Sequence, residues 1–144
     1  MEVKVFKLKE IKLLSGDVVE VKNIFEELIN APLDEKVGIK VTKITGDEFI
    51  SVYSAEIAPF KKVGAHFHNS GIEIYHIVSG NGKMHTGFIN NGMIDWAEAV
   101  EIKSGDCFTI SEKEVHQLEN TGAERLVALF ICRTSHLGDD RIIV

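Results

Sequence analysis

His66 and His68 stand two residues apart, so on a β-strand both imidazoles leave the same face. Glu73 follows an Asn69-Ser70-Gly71 turn that can fold the next strand back beside the first and bring a carboxylate to the two rings. His116 lies much further along, in the alternating stretch Glu114-Val115-His116-Gln117-Leu118-Glu119-Asn120, which reads as another strand. Three imidazoles and one carboxylate are a donor set for one divalent transition metal: Mn, Fe, Ni, Co or Zn. In an octahedral shell these four donors leave one or two positions open for water or a small-molecule ligand, as catalytic centres do. A closed structural zinc site is the weaker reading, because neither Cys107 nor Cys132 has ligand spacing. A metal-free cluster of hydrogen-bonded polar side chains is the remaining alternative.

Alternation extends the candidate site. Through Ile72–Val78 it puts Glu73, Tyr75 and Ile77 on one face and Ile74, His76 and Val78 on the other. Tyr75 then shares the face of Glu73, as a hydrogen-bond donor, a stacking surface or a core aromatic, while His76 points outward. Lys83 and His85 share a face of the next strand. They are candidates for an acid/base pair or anion clamp if that face is internal, and ordinary surface residues if it is not. His116, Leu118 and Asn120 share a face, which suits a ligand followed by pocket lining. Trp96 can cap a cavity mouth or simply pack.

The elements that must position these residues are mostly strands. Alternating segments are read at 37–45, 48–58, 64–68, 72–79, 82–89, 97–103, 106–111, 115–120 and 124–132. Turn signals such as Thr45-Gly46-Asp47, Asn90-Asn91-Gly92 and Asn120-Thr121-Gly122 separate them. Short strands with a turn every eight to twelve residues are the pattern of a sandwich or barrel. Before them, Val3–Leu8 and Val18–Val21 read as strands around a Ser15-Gly16-Asp17 turn. A short helix is then capped by Asn23, with Glu26 at its third position, and closed by Pro32. Its stripe of Ile24, Phe25, Leu28 and Ile29 is expected to pack on a sheet. Residues 1–36 form an arm of the same domain, 37–134 the barrel and 135–144 a polar tail. That tail is expected to be frayed or surface-bound; folding over a barrel mouth or crossing to a partner subunit is the alternative.

The stretch His66-Phe67-His68-Asn69-Ser70-Gly71-Ile72-Glu73, followed after six residues by Gly80, resembles the first motif of the cupin superfamily. Gly105, His116 and Asn120 fall where the second cupin motif has its glycine, histidine and asparagine. Ser111 stands where that motif has proline and Lys113 where it has glycine. Phe60 replaces the glycine six before the first histidine. None of these departures touches a candidate ligand. The resemblance covers roughly residues 40–132. It implies an all-β, antiparallel jelly-roll barrel (a double-stranded β-helix) with a metal in its mouth on His66, His68, Glu73 and His116. It also implies a ligand of small, oxygen-rich chemistry, handled by a dioxygenase-like or a sugar isomerase or epimerase-like enzyme. A metallo-cupin that binds or senses a small ligand without turnover is the alternative.

Composition bounds the rest. The 144 residues suit one domain, and 44% hydrophobic with 26% charged residues is ordinary for a globular protein. Sixteen Lys and Arg against twenty-two Asp and Glu give a net charge of −6, without the basic face that nucleic acid demands. No apolar run reaches membrane-spanning length, and the first ten residues have no leader-like apolar core. Cys107 and Cys132 sit in apolar runs, are expected to be buried and reduced, and suggest a cytoplasmic protein. The apolar amino-terminal strands are suited to exchange with a second copy, so a homodimer is expected.

Overall fold

A computed structural model describes residues 9–12, 18–35 and 38–144. The expected strand Val3–Leu8 and the Ser15-Gly16-Asp17 turn lie outside the described residues. Strands β1 (Lys9–Lys12) and β2 (Val18–Val21) pair antiparallel in a separate ribbon. Helix α1 (Ile24–Asn30) starts where expected: the Asn23 side chain accepts from the amides of Phe25 (3.0 Å) and Glu26 (3.3 Å). Of its apolar stripe, Leu28 is buried, whereas Phe25 and Ile29 are about half exposed.

The other strands are β3 (Leu33–Asp34), β4 (Ile39–Gly46), β5 (Ile50–Ile57), β6 (His66–Phe67), β7 (Glu73–Ser79), β8 (Asn81–Asn90), β9 (Met93–Trp96), β10 (Val100–Lys103), β11 (Cys107–Ile110), β12 (Val115–Asn120), β13 (Leu126–Arg133) and β14 (Ile142–Ile143). They form two antiparallel sheets. One runs β10-β8-β12-β6-β14, with β9 also on β8, and the other runs β11-β7-β13-β5-β4-β3. The all-β architecture is the one expected from the turn spacing, and the two antiparallel sheets agree with the double-stranded β-helix that the cupin resemblance implies. Ile57, Ile77, Met84, Leu118, Leu126 and Phe130 belong to the core between the sheets. Burying such side chains stabilises the fold by roughly 1.5–3 kcal/mol each.

Three departures from expectation have local causes. Asn91 (φ 50°) and Gly92 (φ 76°) make a two-residue turn, so Met93–Trp96 returns along β8 and the next strand starts only at Val100. The tail is not frayed. After a 3-10 turn at Thr134–Leu137 it crosses back, pairs Ile142 with Phe67 and Ile143 with His66, and donates the Val144 amide to Ala65 (3.1 Å). Cys132 is buried, but Cys107 on edge strand β11 is exposed; both are free.

Phe60 (φ 61°) and Lys113 (φ 63°), the two residues that replace motif glycines, both hold the left-handed conformation that favours glycine. The turn geometry is kept although the residue type is not. At the second turn the Lys113 amide donates to the His68 carbonyl (2.8 Å), tying the loop before His116 to the first histidine pair.

Candidate metal centre

β12 lies directly beside β6 with His116 opposite His66, and His68 follows β6 by one residue. Glu73 opens β7 in the facing sheet. The connecting turn is held by carboxylates. The Asn69 and Ser70 amides donate to Asp140 (2.8 and 3.1 Å), and the Gly71 amide donates to Glu112 (2.8 Å). All four side chains are buried, with exposures of 6% for His66, 4% for His68, 2% for Glu73 and 0% for His116. One donor atom from each lies within 4.8 Å of every other.

The imidazoles are oriented through their outer nitrogens. Nδ1 of His66 meets the Gly64 carbonyl at 2.8 Å, Nδ1 of His68 the Asp140 carbonyl at 2.6 Å, and Nδ1 of His116 the Glu114 carbonyl at 3.0 Å. A carbonyl can only accept, so each Nδ1 carries a proton, and a ring in its neutral form keeps its lone pair on Nε2. The Oε2 atom of Glu73 stands 3.0 Å from Nε2 of His68 and 3.1 Å from Nε2 of His116. Yet none of these three buried atoms has a partner in hydrogen-bond geometry. Lone pairs facing a carboxylate oxygen at that distance repel unless a cation stands among them. Donors about 2.1 Å from an octahedral ion stand about 3 Å apart at right angles, so the cluster fits a divalent transition metal.

The electrostatics show the same demand for positive charge beside Glu73. Burial, helped by His116, pushes the His66 imidazole down to about 3, so it is neutral. Burial alone would raise the Glu73 carboxyl, but His116 and His68 hold it well below the usual carboxylate range. His68 is raised, because Glu73 and the Asp140 carbonyl outweigh its burial. The Tyr75 phenol is raised far above its ordinary value by burial and by the Glu73 charge, so it stays protonated.

A cavity of about 40 Å³ opens beside the cluster. His66, His68, Glu73, Tyr75, His136 and Arg141 supply its polar lining, and Leu118 and Phe130 belong to its apolar wall. Tyr75 and Leu118 thus stand at the site, and Tyr75 also stacks on Phe108 and Phe130. Lys83, His85 and Asn120, expected as pocket candidates, stand elsewhere. On β8 it is Met84 that faces inward, opposite Leu118, so Lys83 and His85 turn to the outer face. There His85 Nε2 meets Glu119 at 2.6 Å, and the exposed Trp96 ring lies edge-on 6.3 Å away rather than over the mouth. Asn120 is spent on backbone. Its Nδ2 donates to Ile57 (2.9 Å) and Glu124 (2.7 Å), and its Oδ1 accepts from Gly122 (2.9 Å).

Two polar lining residues escaped the sequence reading, His136 and Arg141. His136 is fully buried, stacked on the His68 ring with centroids 4.0 Å apart and planes within 1°. Burial lowers its ring below the ordinary histidine value. The available signal was the polar run 135–141, too charged for a simple strand extension.

Residues 53–132 match the family model of the cupin domain, and the chain belongs to the cupin family. A curated relative, the oxalate-binding protein of Thermotoga maritima, is 43% identical over 68 residues, 46% of this chain. The chain matches about half (48%) of that relative's length. The solved structure of a predicted oxalate decarboxylase from Thermotoga maritima superposes with a TM-score of 0.54 at 25% identity, covering 74% of this chain and 81% of that one. A double-stranded β-helix protein from Klebsiella pneumoniae gives a TM-score of 0.64 at 19% identity over 82% of this chain and 92% of the other, a likeness of fold alone.

Proposed function

We propose that this cupin holds one divalent transition metal through His66, His68, Glu73 and His116, and that a small oxygenated acid completes the shell. The observation that carries the proposal is the common orientation of the three imidazoles. Each Nδ1–H is committed to a backbone carbonyl, so every Nε2 lone pair is free for the ion. A bound ion would supply Lewis-acid chemistry, polarising the oxygens of a chelating ligand. The rest is work for the chain. Glu73 stays ionised and offsets half the charge of a dication, Tyr75 keeps a proton to donate, and the apolar wall limits water. The cavity of about 40 Å³ clears the roughly 10–15 Å³ that a single water needs and suits a small ligand.

Both named Thermotoga relatives concern oxalate, which makes it the first ligand to test. We favour an enzyme, with metal-assisted oxidation or carbon–carbon cleavage of the acid ahead of sugar isomerisation. A binding protein without turnover is the second reading, favoured by the name of the 43% identical relative. The proposal keeps the protein cytoplasmic, consistent with two free cysteines. It also keeps a homodimer, for which the β8–β9 hairpin exposes Phe88, Ile89, Met93 and Trp96. Light scattering should then give twice the 16.0 kDa chain mass.

The deciding measurement is elemental analysis of protein purified without chelator, repeated on His66→Ala and His116→Ala. Stoichiometric metal in the wild type and a trace in the variants is expected; a metal-free wild type overturns the proposal. With metal present, oxygen uptake, carbon dioxide release and calorimetry with oxalate separate an enzyme from a binder.

A further inference from the structure

The tail that returns over the barrel mouth brings a cation with it. Arg141 is pinned on both sides. Before it, the Asp140 carboxylate accepts from the Asn69 and Ser70 amides, and the Asp140 carbonyl receives the His68 Nδ1–H. After it, Ile142 pairs with Phe67. The Arg141 backbone is therefore fixed alongside the segment that carries His66 and His68, and its side chain lines the same cavity as those ligands. Its charge reaches the site, contributing to the depressed His66 and partly offsetting the rise of Tyr75.

Among the described residues no carboxylate lies within ion-pair distance of Arg141, whereas Arg125 is paired with Glu56 at 2.9 Å. A guanidinium offers five N–H donors in a fork that matches a carboxylate. Placed beside a cation site it is repelled unless an anion lies between the two. His136 adds a second vacancy of the same kind. Its Nε2 donates to the Ser70 carbonyl (2.6 Å), so its buried Nδ1 is an acceptor, and that atom has no partner. Among the described residues the cavity thus has a charged donor and a buried acceptor without partners beside the candidate ligands.

We propose that Arg141 is the anion-recognition residue of this centre, and that its ligand is a small carboxylate with one end on the metal and the other on the guanidinium. The inference rests on the metal-centre reading for where the ligand's first end sits, and it is tested so that either can fail alone. Wild type, Arg141→Gln and Arg141→Lys are each prepared metal-free and loaded with Mn(II), and their metal content is measured. Oxalate and its neutral analogue oxamide are then titrated by calorimetry. Arg141 is exposed, and among the described residues its side chain has no hydrogen bond or ion pair, so the variants should fold and bind Mn(II) like the wild type.

In Mn(II)-loaded protein, Arg141→Gln should weaken oxalate roughly 10- to 100-fold, the range of a lost charge-assisted pair, while oxamide changes less than twofold. Arg141→Lys should recover part of the loss. Equal oxalate affinity in wild type and Arg141→Gln, or an equal loss for oxamide, overturns the proposal. If the wild type takes up no Mn(II), the metal reading fails. The same comparison on metal-free protein then decides Arg141: a loss of oxalate heat confined to Arg141→Gln upholds it, and no difference overturns it.

Discussion

Asn120 offers a quantitative test of how the barrel holds β12, the strand of His116. Its side chain is fully buried and makes three hydrogen bonds to backbone, at 2.7 to 2.9 Å. Asn120→Ala removes all three and leaves two carbonyls and one amide to find new partners. At about 1 kcal/mol net per bond, with a further cost for groups left buried and unpaired, the loss should be about 3–5 kcal/mol. That is a large share of the roughly 5–15 kcal/mol of a typical domain. With a urea slope near 2 kcal/mol/M, the midpoint should fall by about 1.5–2.5 M in denaturation followed by circular dichroism.

Asn120→Asp sharpens the test, because it keeps the acceptor for Gly122 but turns an acceptor toward the two carbonyls. The burial and those carbonyls favour the protonated acid, so its folded pKa lies above the unfolded value of about 3.9. Stability then falls as pH rises between the two values, by about 1.4 kcal/mol per unit, so the deficit against wild type should be larger at pH 7 than at pH 4. A cost below about 1 kcal/mol for Asn120→Ala, or a pH-independent deficit for Asn120→Asp, would refute this account.

Three further outcomes are expected. Lys113→Gly relieves a left-handed residue costing about 1–2 kcal/mol and gives back about half in chain entropy. It should therefore raise Tm by about 2–4 °C in calorimetry, and a fall would contradict the strain. Asp140→Ala removes the acceptor for two amides, so hydrogen exchange at Asn69 and Ser70 should quicken about tenfold or more; unchanged protection would mean that the tail does not hold the turn. Stripping metal with chelator should lower Tm, and Mn(II) at about 100 times its Kd should restore about 2.7 kcal/mol in the wild type but not in His66→Ala.

The barrel was legible because alternation and turns carry its physics: Asn90-Asn91-Gly92 turns the chain and Glu73-Tyr75-Ile77 faces inward, as read. The four candidate ligands were legible because strand parity puts His66 and His68 together and the turn returns Glu73. Lys83 and His85 were not, since parity says which residues share a face but not which face is inside. The choice was made by Met84 standing beside Leu118 in the core, on paired strands that are far apart in sequence. Asn120 had the right parity, but its amide matches three backbone groups that only the folded turn assembles. His136 and Arg141 lay in a run without periodicity, and their position depends on Asp140 meeting two amides some seventy residues earlier.

Those separations also set the order in which the site can mature. His66 and His116 are each oriented by the carbonyl two residues upstream, a contact available as soon as that short piece of chain exists. His68 takes its bearing from Asp140, 72 residues downstream. With the barrel closed but the tail undocked, two imidazoles would keep their orienting carbonyls and the third would lack its own. The last of the three is aimed only when the tail docks, and that same step delivers Arg141.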